Sequence, residues 1–341
     1  MLLDVQQEKD FRYAVEALQQ GKLIAFPTET VYGLGADGFN EAACRGIYRA
    51  KGRPSDNPLI LHISDERELE GIVSSVPEKA RQLAKAFWPG PLTMVFERQG
   101  HVPDVVTGGL STVAVRLPDS IIAQGLIRGV GHPLAAPSAN LSGKPSPTLA
   151  RHVEKDFGEA IAGVIDGGAC RVGVESTIVD MTVEPPVILR PGGITKEDIE
   201  ACIGPVAMAK GIKDDSVPKA PGMKYRHYAP EAPVYLVTGT NRGARLLQQL
   251  QTLGEREIGL LLADETINTL GILPTNVRCY NLGSFSRPAD AAHRLFDGLR
   301  RMDAFGVEEI YIDAWEKVGI GDALMNRIEK LSQPWQEEDD R

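Results

Sequence analysis

The chain has 341 residues, 43% of them hydrophobic and 24% charged, with a formal net charge of −9. That length predicts two domains in an ordinary globular chain, and the acidic balance argues against a general nucleic-acid binder, which usually carries a basic excess. No apolar run approaches the roughly 18 residues of a membrane span, the start MLLDVQQEKDF is not a secretory signal, and Cys44, Cys170, Cys202 and Cys279 form no CxxC pair, so a disulfide framework or zinc site is not expected and the cytoplasm is the default.

Phe11, Ala14, Val15 and Leu18 recur at helical spacing and Gly21 ends that helix. LIAF (23–26) then predicts a buried strand, and Asn40 caps a helix running through Ala50. LILHI (59–63) predicts a strand with Leu59, Leu61 and Ile63 on one face and His62 on the other. Ser75 and Glu78 are spaced as a capping box around Pro77, with Ala80, Leu83, Ala84 and Phe87 following at helical spacing until WPGP (88–91). LTMVF (92–96), TVAVRL (112–117), PLAAP (133–137), GVID (163–166), STIVD (176–180) and VILR (187–190) are further strands, and helices fit near 119–127, 148–157 and 195–203. Together they predict a mixed α/β domain over 1–205, with more strands than simple βαβ alternation supplies.

Residues 206–233 read as a Pro-rich polar linker of net charge +2, between segments of net −6 and −5. Taken alone, that basic stretch suits a solvated connection. From 234 to 341 the rhythm changes. VYLV (234–237), IGLLL (258–262), VRCYNL (277–282) and IYIDAW (310–315) are short apolar strands separated by helical patterns, including ARLLQQL and Pro288 to Phe305. That predicts a small parallel sheet of Rossmann type, without the GxGxxG that dinucleotide binding would require.

Five polar stretches are candidates for chemistry. FPTETVYGLGADG (26–38) places Thr28, Glu29, Thr30 and Tyr32 at the end of a buried strand, where α/β sites commonly lie; it also suits a plain strand-to-helix turn. KGRPSDNP (51–58) is not a Walker A loop, because Lys51 and Arg53 follow a helix and precede a strand. Pro54 and Pro58 stiffen it, so Arg53 and Lys51 are pre-ordered to grip an anion, with Asn57 as an orienting amide; a surface turn with solvated charges is the alternative. In STVAVRLP (111–118), Thr112, Ala114 and Arg116 share a face opposite Val113, Val115 and Leu117. A mid-strand arginine needs a partner, either a structural carboxylate or a substrate carboxylate. APSANLSGKPSPT (136–148) offers Ser138, Asn140, Ser142 and Ser146 in a compact loop able to meet a nucleotide or to serve as a long turn. GVESTIVD and LRPGGIT place Ser176 at a strand start and Arg190 at a strand end. No GxSxG, HExxH or paired-carboxylate motif appears, and His62 alone reads as a core histidine. The pattern points to catalysis by positioning and charge stabilisation, as in phosphoryl or nucleotidyl transfer.

PTETVYGLG, AKGRPSDNPL, WPGPLT, VAVRLP, PSANLSGKPSPT, ESTIVD and LRPGG, in that order, resemble the YrdC-domain family of threonylcarbamoyl-AMP synthases. PGMKYRHYAP and the last third resemble its long, two-domain form. The resemblance implies a twisted open mixed sheet with a positive cavity, and a reaction joining L-threonine, bicarbonate and ATP with release of pyrophosphate. A partner transferase complex would then modify adenosine 37 of tRNAs that read codons beginning with A, so no strong direct tRNA binding is expected. Lys51, Arg53, Ser138 and Asn140 match the family's Lys-x-Arg and Ser-x-Asn signature, with Lys51 and Arg53 stabilising phosphate charge. By the same carry-over the nucleotide meets Arg53, Asn57, Thr112, Ser138, Ser146 and Arg190. Threonine meets Thr30, His62, Arg116, Ala136 through its backbone, and Ser176. Magnesium is expected on the phosphates rather than in a carboxylate cage. In the long form the linker closes over the site, which would bring Lys224, Tyr225 and His227 to the nucleotide. Two rivals remain at this level: an RNA-binding module without catalysis, and carbamoyl transfer from carbamoyl phosphate. The chain has neither the zinc pairs nor the extra modules of proteins that do the latter.

Overall fold

The computed structural model describes residues 1–209, 218–221 and 228–335. They divide between two compact units, Met1–Ser142 with Ser146–Tyr225, and Gly143–Pro145 with Arg226–Arg341. The expected contacts of Lys224, Tyr225 and His227 lie outside the described residues.

In the first unit the strands are β1 (Leu2–Asp4), β2 (Ile24–Phe26), β3 (Gly33–Asp37), β4 (Ile60–His62), β5 (Leu92–Glu97), β6 (Thr112–Arg116), β7 (Leu134–Ala135), β8 (Gly163–Asp166), β9 (Thr177–Asp180), β10 (Val187–Arg190) and β11 (Ala207–Met208). The helices are α1 (Glu8–Gln19), α2 (Glu41–Lys51), α3 (Glu78–Phe87), α4 (Asp104–Thr107), α5 (Ile121–Val130), α6 (Ala150–Phe157) and α7 (Lys196–Ile203). One eleven-stranded mixed sheet runs in the order β1-β8-β2-β3-β7-β4-β6-β5-β9-β10-β11.

Alternation along each strand decides which face a side chain serves. Leu59, Leu61 and Ile63 join Val113, Val115, Met94 and Phe96 in the larger core, packed with Ile47 of α2, Leu83 of α3 and Ile199 of α7. On the opposite face Ile24, Phe26 and Leu134 pack against Leu18 of α1 and Leu126 of α5. Farther along that second face the core is a small patch, Ile60, Val95, Ala114, Ile178 and Ala220, with no helical residue in it. Here the residues of β4, β5 and β6 that face away from the larger core meet a segment of the expected linker, not a helix, and here the polar residues gather.

Local signals account for most boundaries. Asn40 accepts from the Ala43 N–H at 3.1 Å and caps α2, which runs one residue beyond the expected end. The capping box expected at Ser75 and Glu78 is absent: α3 begins at Glu78 behind Pro77, with no side-chain cap bond. A box does form at α7, between Thr195 and Asp198. β3 falls in a stretch expected to be loop. Its glycines have a steric reason: a Cβ at Gly35 would lie 2.6 Å from the Phe26 ring, and one at Gly38 2.6 Å from Leu61 Cδ2.

The second unit is a five-stranded parallel sheet, β12 (Val234–Val237), β13 (Ile258–Ala263), β14 (Val277–Gly283), β15 (Glu309–Asp313) and β16 (Ser332–Pro334), in the order β14-β13-β15-β12-β16. Its helices are α8 (Arg242–Thr252), α9 (Asp264–Ile267), α10 (Pro288–Phe305) and α11 (Ile320–Leu331). The first four strands match the expected segments. At the carboxyl edge, Asp313 is fully buried, accepts the Ala263 N–H at 2.9 Å and pairs with Arg242 at 3.2 Å.

Candidate active site

Parallel pairing of β4 with β6 sets His62 opposite Arg116, and antiparallel pairing of β5 with β6 sets Thr93 opposite the same arginine. The sheet therefore brings three polar side chains together on the face that carries the small apolar patch. Arg116 is buried. Its Nε donates to the Gly90 carbonyl at 3.2 Å and Nη1 to Thr30 Oγ1 at 2.9 Å, while Nη2 lies 2.7 Å from Glu29 Oε1. Of the two partners left open for this arginine, a structural carboxylate is present, and it is Glu29.

Thr30 belongs to a short hydroxyl relay. Thr28 Oγ1 donates to the Val31 carbonyl at 2.6 Å and lies 2.8 Å from Thr30 Oγ1. A hydroxyl has one proton, so Thr28 must accept from Thr30. The proton of Thr30 is thereby spent, and its oxygen faces any further group as an acceptor.

His62 keeps its Nδ1 3.2 Å from the Ile60 carbonyl and meets the edge of the Phe26 ring. Burial, and then the charge of Arg116, push its pKa down to about 3, so the imidazole is neutral across the physiological range. The Ala136 N–H donates to the Ile60 carbonyl at 2.9 Å, which seats that backbone beside His62's strand.

At the far strands, Ser176 Oγ lies 2.7 Å from Thr93 Oγ1 and accepts from Arg190 Nη2 at 3.2 Å. Arg190 also donates to the Ser176 carbonyl at 3.1 and 2.9 Å, and its Nη1 to the Pro221 carbonyl at 3.2 Å. Lys219 pairs with buried Asp180 at 2.9 Å, and Ala220 is fully buried. The segment 218–221 of the expected linker is thus anchored in the first unit beside Arg190.

The two loops expected to hold phosphate are tied together. Lys51 is buried at the end of α2, and its Nζ donates to the Ser138 carbonyl at 2.6 Å and to the Asn140 carbonyl. Those contacts seat it against APSAN rather than in a solvated turn. Arg53 donates to the carbonyls of Asn57 and Pro58, at 3.1 and 2.9 Å, closing KGRPSDNP on itself. Asn57 is buried, and its Oδ1 has no hydrogen-bond partner among the described residues. Ser138 Oγ donates to Asn140 Oδ1 at 2.5 Å, and Ser146 Oγ to Glu175 Oε1 at 2.5 Å. Backbone bonds from Tyr32 to Pro147, Leu34 to Pro137 and Ala139 to Tyr32 zip the 26–38 and 136–148 stretches side by side. Thr112 is buried on the same face of β6 as Arg116.

Two polar residues at these positions, Thr93 and Glu175, were not among the sequence candidates, and Glu29 was named there without a partner or role. Thr93 had a signal, a hydroxyl inside the apolar run LTMVF. A cavity of about 560 Å³ elsewhere in the first unit, bordered by Phe39, Arg67, His101 and Arg128, includes none of the candidates. The cysteines offer no nucleophile here: burial pushes the thiols of Cys44 and Cys170 up to about 12.

An α/β unit whose sheet face presents converging buried cations, hydroxyls and carbonyls, flanked by two interlocked Pro-rich loops, defines the class of a group-transfer enzyme that works by positioning. The comparisons narrow it. Residues 16–192 match the family model Sua5_yciO_yrdC, described as "Telomere recombination", and residues 194–332 match "Threonylcarbamoyl-AMP synthase, C-terminal domain". The chain belongs to the Sua5/YciO/YrdC family. It is 47% identical over 334 residues to the threonylcarbamoyl-AMP synthase of Pyrococcus abyssi, covering 96% of this chain and 95% of the relative. To that of Bacillus subtilis it is 47% identical over 322 residues, covering 94% and 92%. A solved structure of Pyrococcus abyssi Sua5 complexed with L-threonine superposes with a TM-score of 0.90 at 45% identity, covering 97% of each chain.

Proposed function

We propose that this chain is a nucleotidyltransferase that joins L-threonine, bicarbonate and ATP into threonylcarbamoyl-AMP, releasing pyrophosphate. The observation that carries this reading is the convergence on Arg116. A buried guanidinium, a hydroxyl set to accept (Thr30), a neutral imidazole (His62) and the Ala136 backbone lie on neighbouring strands of the sheet. That set complements an amino acid: Arg116 and the Ser176 hydroxyl for the carboxylate, Thr30 and the Ala136 carbonyl for the ammonium or hydroxyl.

The amine, once deprotonated, adds to the carbon of bicarbonate, and water leaves to give N-carboxythreonine. Its new carboxylate attacks the α-phosphorus of ATP and displaces pyrophosphate. Lys51 and Arg53 stabilise charge on the phosphates. Asn57, Thr112, Ser138, Asn140, Ser146 and Arg190 hold the nucleotide, with Asn57 Oδ1 an unused buried acceptor suited to a donor of the base or ribose. Among the described residues no cluster of His, Cys, Asp and Glu is placed to hold a metal. Magnesium is assigned to the phosphates, and no step is given to it.

Lys224, Tyr225 and His227, outside the described residues, are assigned to the nucleotide, with the role of keeping water from the mixed anhydride. The product passes to a tRNA threonylcarbamoyl-transferase complex in the cytoplasm, and this acidic chain leaves tRNA to that partner. The test is pyrophosphate release from ATP, omitting threonine and bicarbonate in turn. Release that persists without either one would overturn the proposal.

A further inference from the structure

The PTET stretch holds two side chains that the proposed reaction leaves unused, Thr28 and Glu29. Glu29 is 2% exposed at its side chain and faces an Arg116 side chain that is 5% exposed, so the pair is dry. Yet the approach of 2.7 Å has no hydrogen-bond geometry. Among the described residues, neither carboxylate oxygen of Glu29 nor Nη2 of Arg116 has a hydrogen-bond partner. A buried pair usually adds well-aligned hydrogen bonds to its Coulomb attraction, because both charges have lost water. Here the carboxylate balances the charge and leaves the donors of Nη2 unspent. The other two contacts of Arg116, from Nε to Gly90 and from Nη1 to Thr30, fix its plane. A guanidinium carries more N–H donors than those contacts use.

Thr28, the neighbour of Glu29, acts on the acceptor side of the same subsite. By donating to the Val31 carbonyl it forces Thr30 to spend its proton inward, so Thr30 meets a ligand only as an acceptor. The amides of Thr30 and Val31 share the remaining lone pair of Thr28 Oγ1 as two long contacts, at 3.2 and 3.3 Å. One side of the subsite is thus set as donor and the other as acceptor before any ligand arrives. The Arg116–Glu29 pair is neutral as a whole, like a free amino acid in its zwitterionic form. Seating one against the other buries no net charge, whereas an uncompensated arginine would attract any small anion.

We infer that Glu29 and Thr28 are positioning residues for amino-acid recognition: Glu29 holds Arg116 as a neutral pair with Nη2 unspent, and Thr28 sets Thr30 as an acceptor. This inference rests on the proposed threonine site and deepens it.

The test is titration calorimetry of the full-length chain with L-threonine and, separately, with ATP, for wild type, Glu29→Gln, Glu29→Asp and Thr28→Val. Glu29→Gln is expected to weaken threonine binding by about 10-fold or more while ATP changes by less than about 2-fold. Glu29→Asp should recover some of the loss, because it keeps the charge. Thr28→Val, which frees the Thr30 proton to point at the ligand, should weaken threonine by roughly 3- to 10-fold. In steady state the losses should appear in KM for threonine before kcat. Inorganic phosphate, titrated against Glu29→Gln, should bind more tightly than to wild type. Equal losses for threonine and ATP, or threonine affinity that Glu29→Gln leaves untouched, would overturn the inference and leave the proposed function standing. A wild-type chain that does not bind L-threonine would overturn both.

Discussion

Replacing His62 with glutamine tests the electrostatics of the site without removing any of its cations. The imidazole is buried among Phe26, the Ile60 and Leu134 backbone and Arg116, the one charged group that bears on it, and its pKa falls to about 3. In the unfolded chain it returns to about 6.5. Above that value both states carry a neutral ring and His62 has no effect on stability. As the pH falls below it, the unfolded chain takes up a proton that the folded chain refuses, so stability declines with falling pH and levels off only near pH 3. At pH 5 the loss relative to pH 8 is about 2 kcal/mol from this one residue. Urea unfolding at pH 8 and pH 5 measures it. The wild type should lose about 2 kcal/mol more than His62→Gln over that interval, with the carboxylates common to both cancelling in the difference. The His62 ring resonance should stay neutral across the same range. Equal losses in the two proteins, or a ring that titrates near pH 6, would refute the reasoning.

Three further outcomes follow from contacts in the first unit. Arg116→Met strands the Glu29 carboxylate in a dry site and should cost about 3–5 kcal/mol in urea unfolding. Adding Glu29→Met should restore much of that stability while threonine affinity stays lost. Gly192→Ala places a Cβ 2.2 Å from the Thr177 nitrogen and 2.3 Å from the Ser176 carbonyl carbon. Neither backbone atom can yield, so the variant should lose about 3 kcal/mol or more, or displace Ser176 and with it threonine binding in calorimetry. Thr93→Val removes the hydroxyl 2.7 Å from Ser176 Oγ and should cost about 1–2 kcal/mol. Its KM for threonine should rise in the pyrophosphate assay, and an unchanged KM would remove Thr93 from the site.

The readable regions of the fold were those in which one residue decides a face. In TVAVRL a single arginine among valines sets the parity of the strand, and in LILHI a single histidine does the same; both side chains lie where alternation puts them. The parallel second sheet was legible from its apolar runs. β3 was not, because GLGAD has no strand propensity of its own. It pairs because Gly35 admits Phe26 and Gly38 admits Leu61, contacts that only the tertiary structure supplies. Ser75 and Glu78 had the spacing of a capping box without the conformation, since Pro77 itself takes the N-cap position. Glu29 was visible as a polar residue in a promising loop. Its pairing with Arg116 was not, because no local pattern links two residues that meet only through the order of the strands.

The manner in which each cation is held separates the two ends of the site. The described contacts of Lys51 reach the carbonyls of Ser138 and Asn140; those of Arg53 reach Asn57 and Pro58; those of Arg190 reach Ser176 and Pro221. A carbonyl dipole fixes where a cation points and leaves its formal charge in place. Arg116 meets the Glu29 carboxylate, and its charge is balanced within the pair. A polyanion such as ATP gains from cations that carbonyl dipoles hold in place, because they need little reordering when it binds. A zwitterion gains from a balanced pair, because only local direction matters to it. An acidic protein can therefore bind a nucleotide with a few cations oriented by carbonyls, and select an amino acid beside it with a balanced pair.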